Sequence, residues 1–141
     1  MRLAFLLSSF ILLLLFACNE TDRGTGEPEN DIDAARAFIR AALDGDYDKA
    51  RTYLVDDSLN RQDIDISERL YKERMSPEEK NKYRGASIHI HETTRLDDST
   101  SIVYYSNTYR NQKDSLKVIR SEGKWLIDFK YIFKHKPDSL P

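Results

Sequence analysis

Apolar positions along this chain follow three rhythms. From Leu3 to Phe16 they are nearly continuous, broken only by Ser8 and Ser9. From Asp31 onward they recur every three or four residues. Ala35, Phe38, Ile39, Ala42 and Leu43 take the i, i+3, i+4, i+7, i+8 spacing of one helical face. After Ala86 the period falls to two, the rhythm of strands. Helices followed by a run of strands predict an α+β domain, with N-terminal helices packed on a curved four-stranded antiparallel sheet.

Punctuation sharpens these elements. Asn30 or Asp31 can cap the first helix, and Gly45 stands where a left-handed C-terminal cap belongs. Asp46 then caps a short second helix with Tyr47, Ala50 and Leu54 on one side. A third helical region is predicted from about Ser67 to Tyr83, with Leu70, Tyr71 and Met75 apolar. Ser76-Pro77-Glu78-Glu79 interrupts it with a capping serine, a first-turn proline and a capping-box glutamate. Gly85 ends the helical half.

Strands are predicted over 87–94, 100–110, 115–121 and 124–133. The connections, 96–99, 111–114 and 122–123, are short enough for antiparallel hairpins. A two-residue turn at Glu122-Gly123 pairs Ser121 with Lys124, Val118 with Ile127 and Leu116 with Phe129. Trp125, Ile127, Phe129, Tyr131 and Phe133 then face the helices. Lys117, Ile119, Leu126, Asp128 and Lys130 take the other face.

The first rhythm has a different meaning. Met1-Arg2 is a short positive start, and the 14-residue apolar run behind it falls short of the roughly 20 residues that span a bilayer. Ala17 then precedes Cys18, the only cysteine in the chain. Leu15-Phe16-Ala17-Cys18 resembles a lipobox, with Phe16 bulkier than the commonest residue at its position. The resemblance implies cleavage before Cys18, a diacylglycerol on its thiol and an acylated new N-terminus. An uncleaved signal anchor or a plain secretory peptide is the competing reading. A lone cysteine in an exported chain makes no internal disulfide, and lipid on it removes an exposed thiol. Asn19–Asn30, NETDRGTGEPEN, has two glycines, a proline and no large apolar residue, and reads as a flexible tether.

The predicted organisation is thus a signal peptide over 1–17, lipidated cysteine and tether over 18–30, one domain over 31–135, and a tail over 136–141. Cleavage leaves 21 basic against 24 acidic residues, a formal charge of −3. That balance argues against nucleic acid or anionic lipid as the main partner. The expected localisation is the cell envelope, lipid-anchored. Asn19 is not the aspartate that resembles an inner-membrane retention signal, so the outer membrane is favoured.

Two segments carry a family resemblance. AARAFIRAALDGDYDKARTYL resembles the opening helices of nuclear-transport-factor-2-like domains. SLKVIRSEGKWLIDF is similar to their closing hairpin. The resemblance implies a sheet wrapped over the helices as a cone with a pocket. The superfamily includes isomerases, dehydratases, binding proteins and scaffolds, so fold does not select function. Its steroid isomerases place an acid and a tyrosine in the cone, with no positional match here.

Candidate chemistry is sparse. Asp44, Asp46 and Asp48 begin a calcium-loop pattern, but Lys49 replaces its glycine and Val55 its bidentate glutamate, so caps and surface charge are the better reading. His89 and His91 alternate on a strand and lack a third ligand in sequence. Asp128 is predicted as a surface partner of Lys117. Tyr104 or Tyr105 points inward according to how the Asn111–Asp114 loop is counted. Arg120 falls opposite Trp125, where it can stack on the indole. Tyr104, Tyr105, Arg120 and Trp125 are therefore the binding candidates, with Cys18 for lipidation, no catalytic residue, no metal and no cofactor. The expected activity is non-catalytic binding or protein interaction; the alternative is an isomerase- or dehydratase-like enzyme using the cone. Expected partners are the membrane through Cys18, an envelope protein or small apolar ligand, and a second copy through Ile119 and Leu126.

Overall fold

The computed structural model describes residues 26–134; the predicted signal peptide, Cys18 and the predicted C-terminal tail lie outside them. Five helices and four strands follow one another as α1 (Asp31–Asp44), α2 (Tyr47–Thr52), α3 (Ser58–Arg74), α4 (Pro77–Arg84), β1 (Ile88–Asp97), β2 (Thr100–Asn107), β3 (Asp114–Ser121), β4 (Lys124–Asp128) and α5 (Lys130–Lys134). The strands form one antiparallel meander in the order β1-β2-β3-β4. This is the α+β arrangement that the change of rhythm at Ala86 predicts.

α1 is the spine. Asn30 caps it by accepting from the Asp33 amide, and Gly45 closes it at φ 75°. Ala34, Ala35, Phe38, Ile39, Ala41 and Leu43 are buried, and α1 touches all four strands. Opposite them stand Val103, Leu116, Val118 and Ile127, all with no exposed surface. Phe38 meets Phe129 at 5.2 Å between ring centroids.

Where the chain leaves α2 it runs briefly alongside β4. The Val55 amide donates to the Ile127 carbonyl (3.0 Å), and the Ile127 amide donates to the Tyr53 carbonyl (2.8 Å). This parallel bridge at Leu54 covers the outer edge of β4.

Several predicted boundaries are corrected. α3 begins at Ser58, not near Ser67, because Asp57 caps it and Ile64 anchors it in the core. Leu70 is nearly half exposed, so it is not part of the buried face. The break before α4 is as expected, with Ser76 and Glu79 exchanging capping-box hydrogen bonds. β1 runs on to Asp97 and carries register shifts at Ile90/Glu92 and Arg95/Asp97. β2 stops at Asn107, whose side-chain oxygen accepts from the Tyr109 and Arg110 amides and turns the chain. β4 ends at Asp128, so Tyr131 belongs to α5 and not to the core-facing row, and the predicted pairing of Leu116 with Phe129 lies beyond the ladder.

The β3–β4 turn is as predicted. Glu122 (φ 51°) and Gly123 (φ 81°) both take the positive φ of a type I′ turn. Ser121 pairs with Lys124, Val118 with Ile127 and Lys117 with Asp128.

Candidate functional site

The two hairpin tips lie side by side at one end of the sheet, because the Arg120 amide donates to the Ser99 carbonyl at 2.6 Å. At that end Arg120 and Trp125 oppose one another, and the guanidinium stacks 5.6 Å from the indole. Trp125 is half-buried and lines an open depression of about 350 Å³. Tyr53, Thr52, Leu126 and the Gly123–Lys124 turn form other walls, and residues 26–28 close one side. Lys124 Nζ grips Glu27 at 2.7 Å, which fixes the incoming chain to the hairpin. Tyr53, Lys124 and Glu27 were not legible as neighbours of Trp125; Glu27 lies 97 residues from Lys124.

The other two binding candidates lie elsewhere. β2 pairs Tyr105 with Ile90 and Asp114, and Tyr105 packs against the core. Tyr104 is exposed on the opposite face. The loop count is thus settled in favour of Tyr105 pointing inward. Its neighbours form an aromatic ladder: Tyr47–Tyr71, Tyr71–Tyr83 and Tyr83–Tyr109 have centroids 5.6, 6.0 and 5.2 Å apart. Burial pushes the Tyr47, Tyr83 and Tyr105 hydroxyls above their ordinary range, which keeps them neutral. Neutral packed phenols of this kind serve as core with a polar tip.

Asp128 requires a correction. It pairs with Lys117 as predicted (3.7 Å), yet it is 7% exposed and not a surface residue. The cause is the start of α5. Lys130 Nζ lies 2.7 Å from Asp128 Oδ1, an ion pair whose alignment falls short of a hydrogen bond, and 2.6 Å from Asp57 Oδ2. The fully buried Asn60 completes the knot. Its Oδ1 accepts from the Lys130 amide (2.8 Å), and its amide group donates to the Val55 carbonyl (3.1 Å) and to Asp57 Oδ2 (3.0 Å). The hydrogen bond from Lys130, then that from the Asn60 backbone N–H, holds the Asp57 carboxyl below its usual range, and Lys130 is raised in turn by Asp128 and Asp57. A lysine held charged between two carboxylates is a poor base or nucleophile, so the knot is built to hold β4, α3 and α5 together.

The remaining candidates have structural partners. Asp44 pairs with Arg40, Asp46 caps α2, and Asp48 pairs with Arg51. His89 and His91 are exposed. His91 occupies the register shift in β1 and its Nε2 lies 2.8 Å from Ser106 Oγ. That pair sits on an open sheet surface, without the water-excluding enclosure that makes preorganised catalysis effective. Among the described residues no three of His, Cys, Asp and Glu are grouped to hold a metal. Also among them, no helix is long and apolar enough to cross a membrane. No protein family, curated protein or solved structure matches this chain.

Proposed function

We propose that this protein is a lipid-anchored lipoprotein of the bacterial cell envelope, with the outer membrane favoured, whose α+β domain is a non-catalytic binding module. The observation that carries the reading is the coincidence of a basic start, a 14-residue apolar run, and Ala17 before the chain's single cysteine, Cys18. Several acyl chains on one residue give stable attachment where one chain gives reversible binding. A nuclear-transport-factor-2-like origin for the domain rests on the two sequence segments at its ends.

The absence of catalysis is supported by what fills the interior. Phe38, Val103, Leu116 and Ile127 occupy the space between α1 and the sheet, and the tyrosine ladder packs the other end. The binding surface is then the open depression around Trp125 and Tyr53, at the low end of the roughly 300–1,000 Å³ of small-molecule sites.

Cys18→Ser tests the anchor. In a bacterial host fed an alkyne-tagged fatty acid, the wild-type chain should carry the label and sediment with membranes. The variant should carry none and accumulate unprocessed. A wild-type chain that stays unlabelled would remove the basis of the proposal.

A further inference from the structure

We infer that the hairpin end of the sheet, with Leu96 and Trp125 foremost, docks on the interfacial layer of a phospholipid bilayer. The inference rests on the lipid anchor proposed above. The tether sets the geometry. The described chain starts at Gly26, against the β3–β4 turn, and the Lys124–Glu27 bridge holds it there. Only seven residues, eight steps along the chain, separate Gly26 from Cys18. Whatever their conformation, they span at most about 28 Å at roughly 3.5 Å per residue. A chain held at Cys18 therefore keeps this end of the domain within about 28 Å of the headgroups.

The chemistry of the end suits that neighbour. Leu96, at the β1–β2 tip, is the most exposed large apolar residue described, at 58%. Trp125 stands at the adjacent tip beneath Arg120. An indole flanked by a guanidinium matches the interfacial zone, where aromatic rings sit at headgroup depth and basic side chains reach phosphate. The charges at the two tips are nearly balanced. Arg95, Arg120 and Lys124 are countered there by Glu27, Asp97, Asp98 and Glu122, so the contact is apolar and aromatic and does not require anionic lipid. A small patch of this kind binds weakly alone. Confinement by the tether raises its effective concentration at the surface to about the millimolar range, which makes weak docking persistent.

Trp125 is the only tryptophan in the chain and reports on its own surroundings. The mature chain, coupled through Cys18 to a maleimide-bearing lipid in phosphatidylcholine vesicles, should show a blue-shifted Trp125 emission. Acyl-brominated phosphatidylcholine should quench it. The uncoupled chain mixed with the same vesicles should show neither change. Leu96→Asp, at an exposed tip and with an unchanged thermal melt, should reduce the quenching. Emission that coupling leaves unaltered, a blue shift without quenching, or quenching that Leu96→Asp leaves intact would each overturn the docking. Chemical coupling makes these results independent of natural acylation. An unlabelled Cys18 in cells would defeat the anchor alone, and unquenched vesicles would defeat the docking alone.

Discussion

Replacing Asn60 with alanine should destabilise the protein far more than its place near the start of an exposed-looking helix suggests. The side chain has no exposed surface and joins three parts of the chain. Its removal strands the Lys130 amide, which it meets at 2.8 Å, and takes one of two donors from the Val55 carbonyl, which keeps the Asp57 amide at 3.0 Å. Each buried group left without a partner costs about 1–3 kcal/mol. Asp57 Oδ2 keeps Lys130 and adds little to the loss. With about 0.5–1.5 kcal/mol more for the hydrogen bond lost at Val55, the expected penalty is about 2–4 kcal/mol, a large share of the roughly 5–15 kcal/mol that holds a domain together. Urea unfolding followed by Trp125 emission should show a lower midpoint at unchanged slope. Asn60→Asp is a sharper test. It keeps the oxygen for the Lys130 amide but turns an acceptor toward the Val55 carbonyl and the Asp57 carboxylate. Such a group has a folded pKa above its unfolded value, so its penalty is full at neutral pH and shrinks as pH falls through that value. If Asn60→Ala cost no more than exposed Gln62→Ala, within about 0.5 kcal/mol, the knot would not be holding the fold.

Gly45→Ala places a Cβ 2.5 Å from the Tyr71 hydroxyl at φ 75° and should lower stability by about 2 kcal/mol or more, whereas Gly85→Ala meets its nearest atom at 3.4 Å and should be neutral or gain a few tenths; thermal melts of the pair check the contrast. Asp57 and Glu68 have lowered carboxyl pKa values, so the stability they contribute is present above the unfolded value near 4 and is lost as pH falls through the folded one. Lys130 is raised, so its contribution holds below about 10.4 and is lost as pH climbs through the folded value. Lys130→Met should therefore flatten the acid limb of a stability profile measured from pH 5 downward; an unchanged limb would mean that Asp57 does not titrate against Lys130.

Local signals in the sequence carried the fold a long way. The Gly45 cap, the Ser76–Glu79 box and the Glu122-Gly123 turn depend on residues a few positions apart, and each stands where those residues place it; on α1, Ala35, Phe38, Ile39 and Leu43 are buried as their spacing predicts, with Ala41 buried in place of Ala42. The end of β4 departs from the sequence pattern, in which Trp125, Ile127, Phe129, Tyr131 and Phe133 alternate as a strand does. What converts Lys130 into the start of a helix is Asn60, 70 residues away, accepting its amide. The same long-range contact hid Asp128, whose carboxylate alternates outward by period yet is covered by Lys130 once Asn60 has turned the chain into α5. Of the binding candidates, Arg120 and Trp125 were legible together because one two-residue turn fixes both. Tyr105 and Tyr104 depended on a longer loop, whose course the Asn107 side chain decides.

The two borders of the sheet are finished differently, and the difference bears on how copies behave when crowded. Residues 53–55 run beside β4 and occupy the outward backbone groups of Ile127. β1 has no such cover among the described residues, but it is twice out of register and bristles with His89, His91, Glu92 and Arg95. A flat, apolar border would template strand-by-strand growth into a fibre. Molecules confined to a surface, as the proposed anchor would confine this chain, collide edge-on far more often than molecules free in solution. Kinks and charge along β1 let neighbours meet at high density and part again.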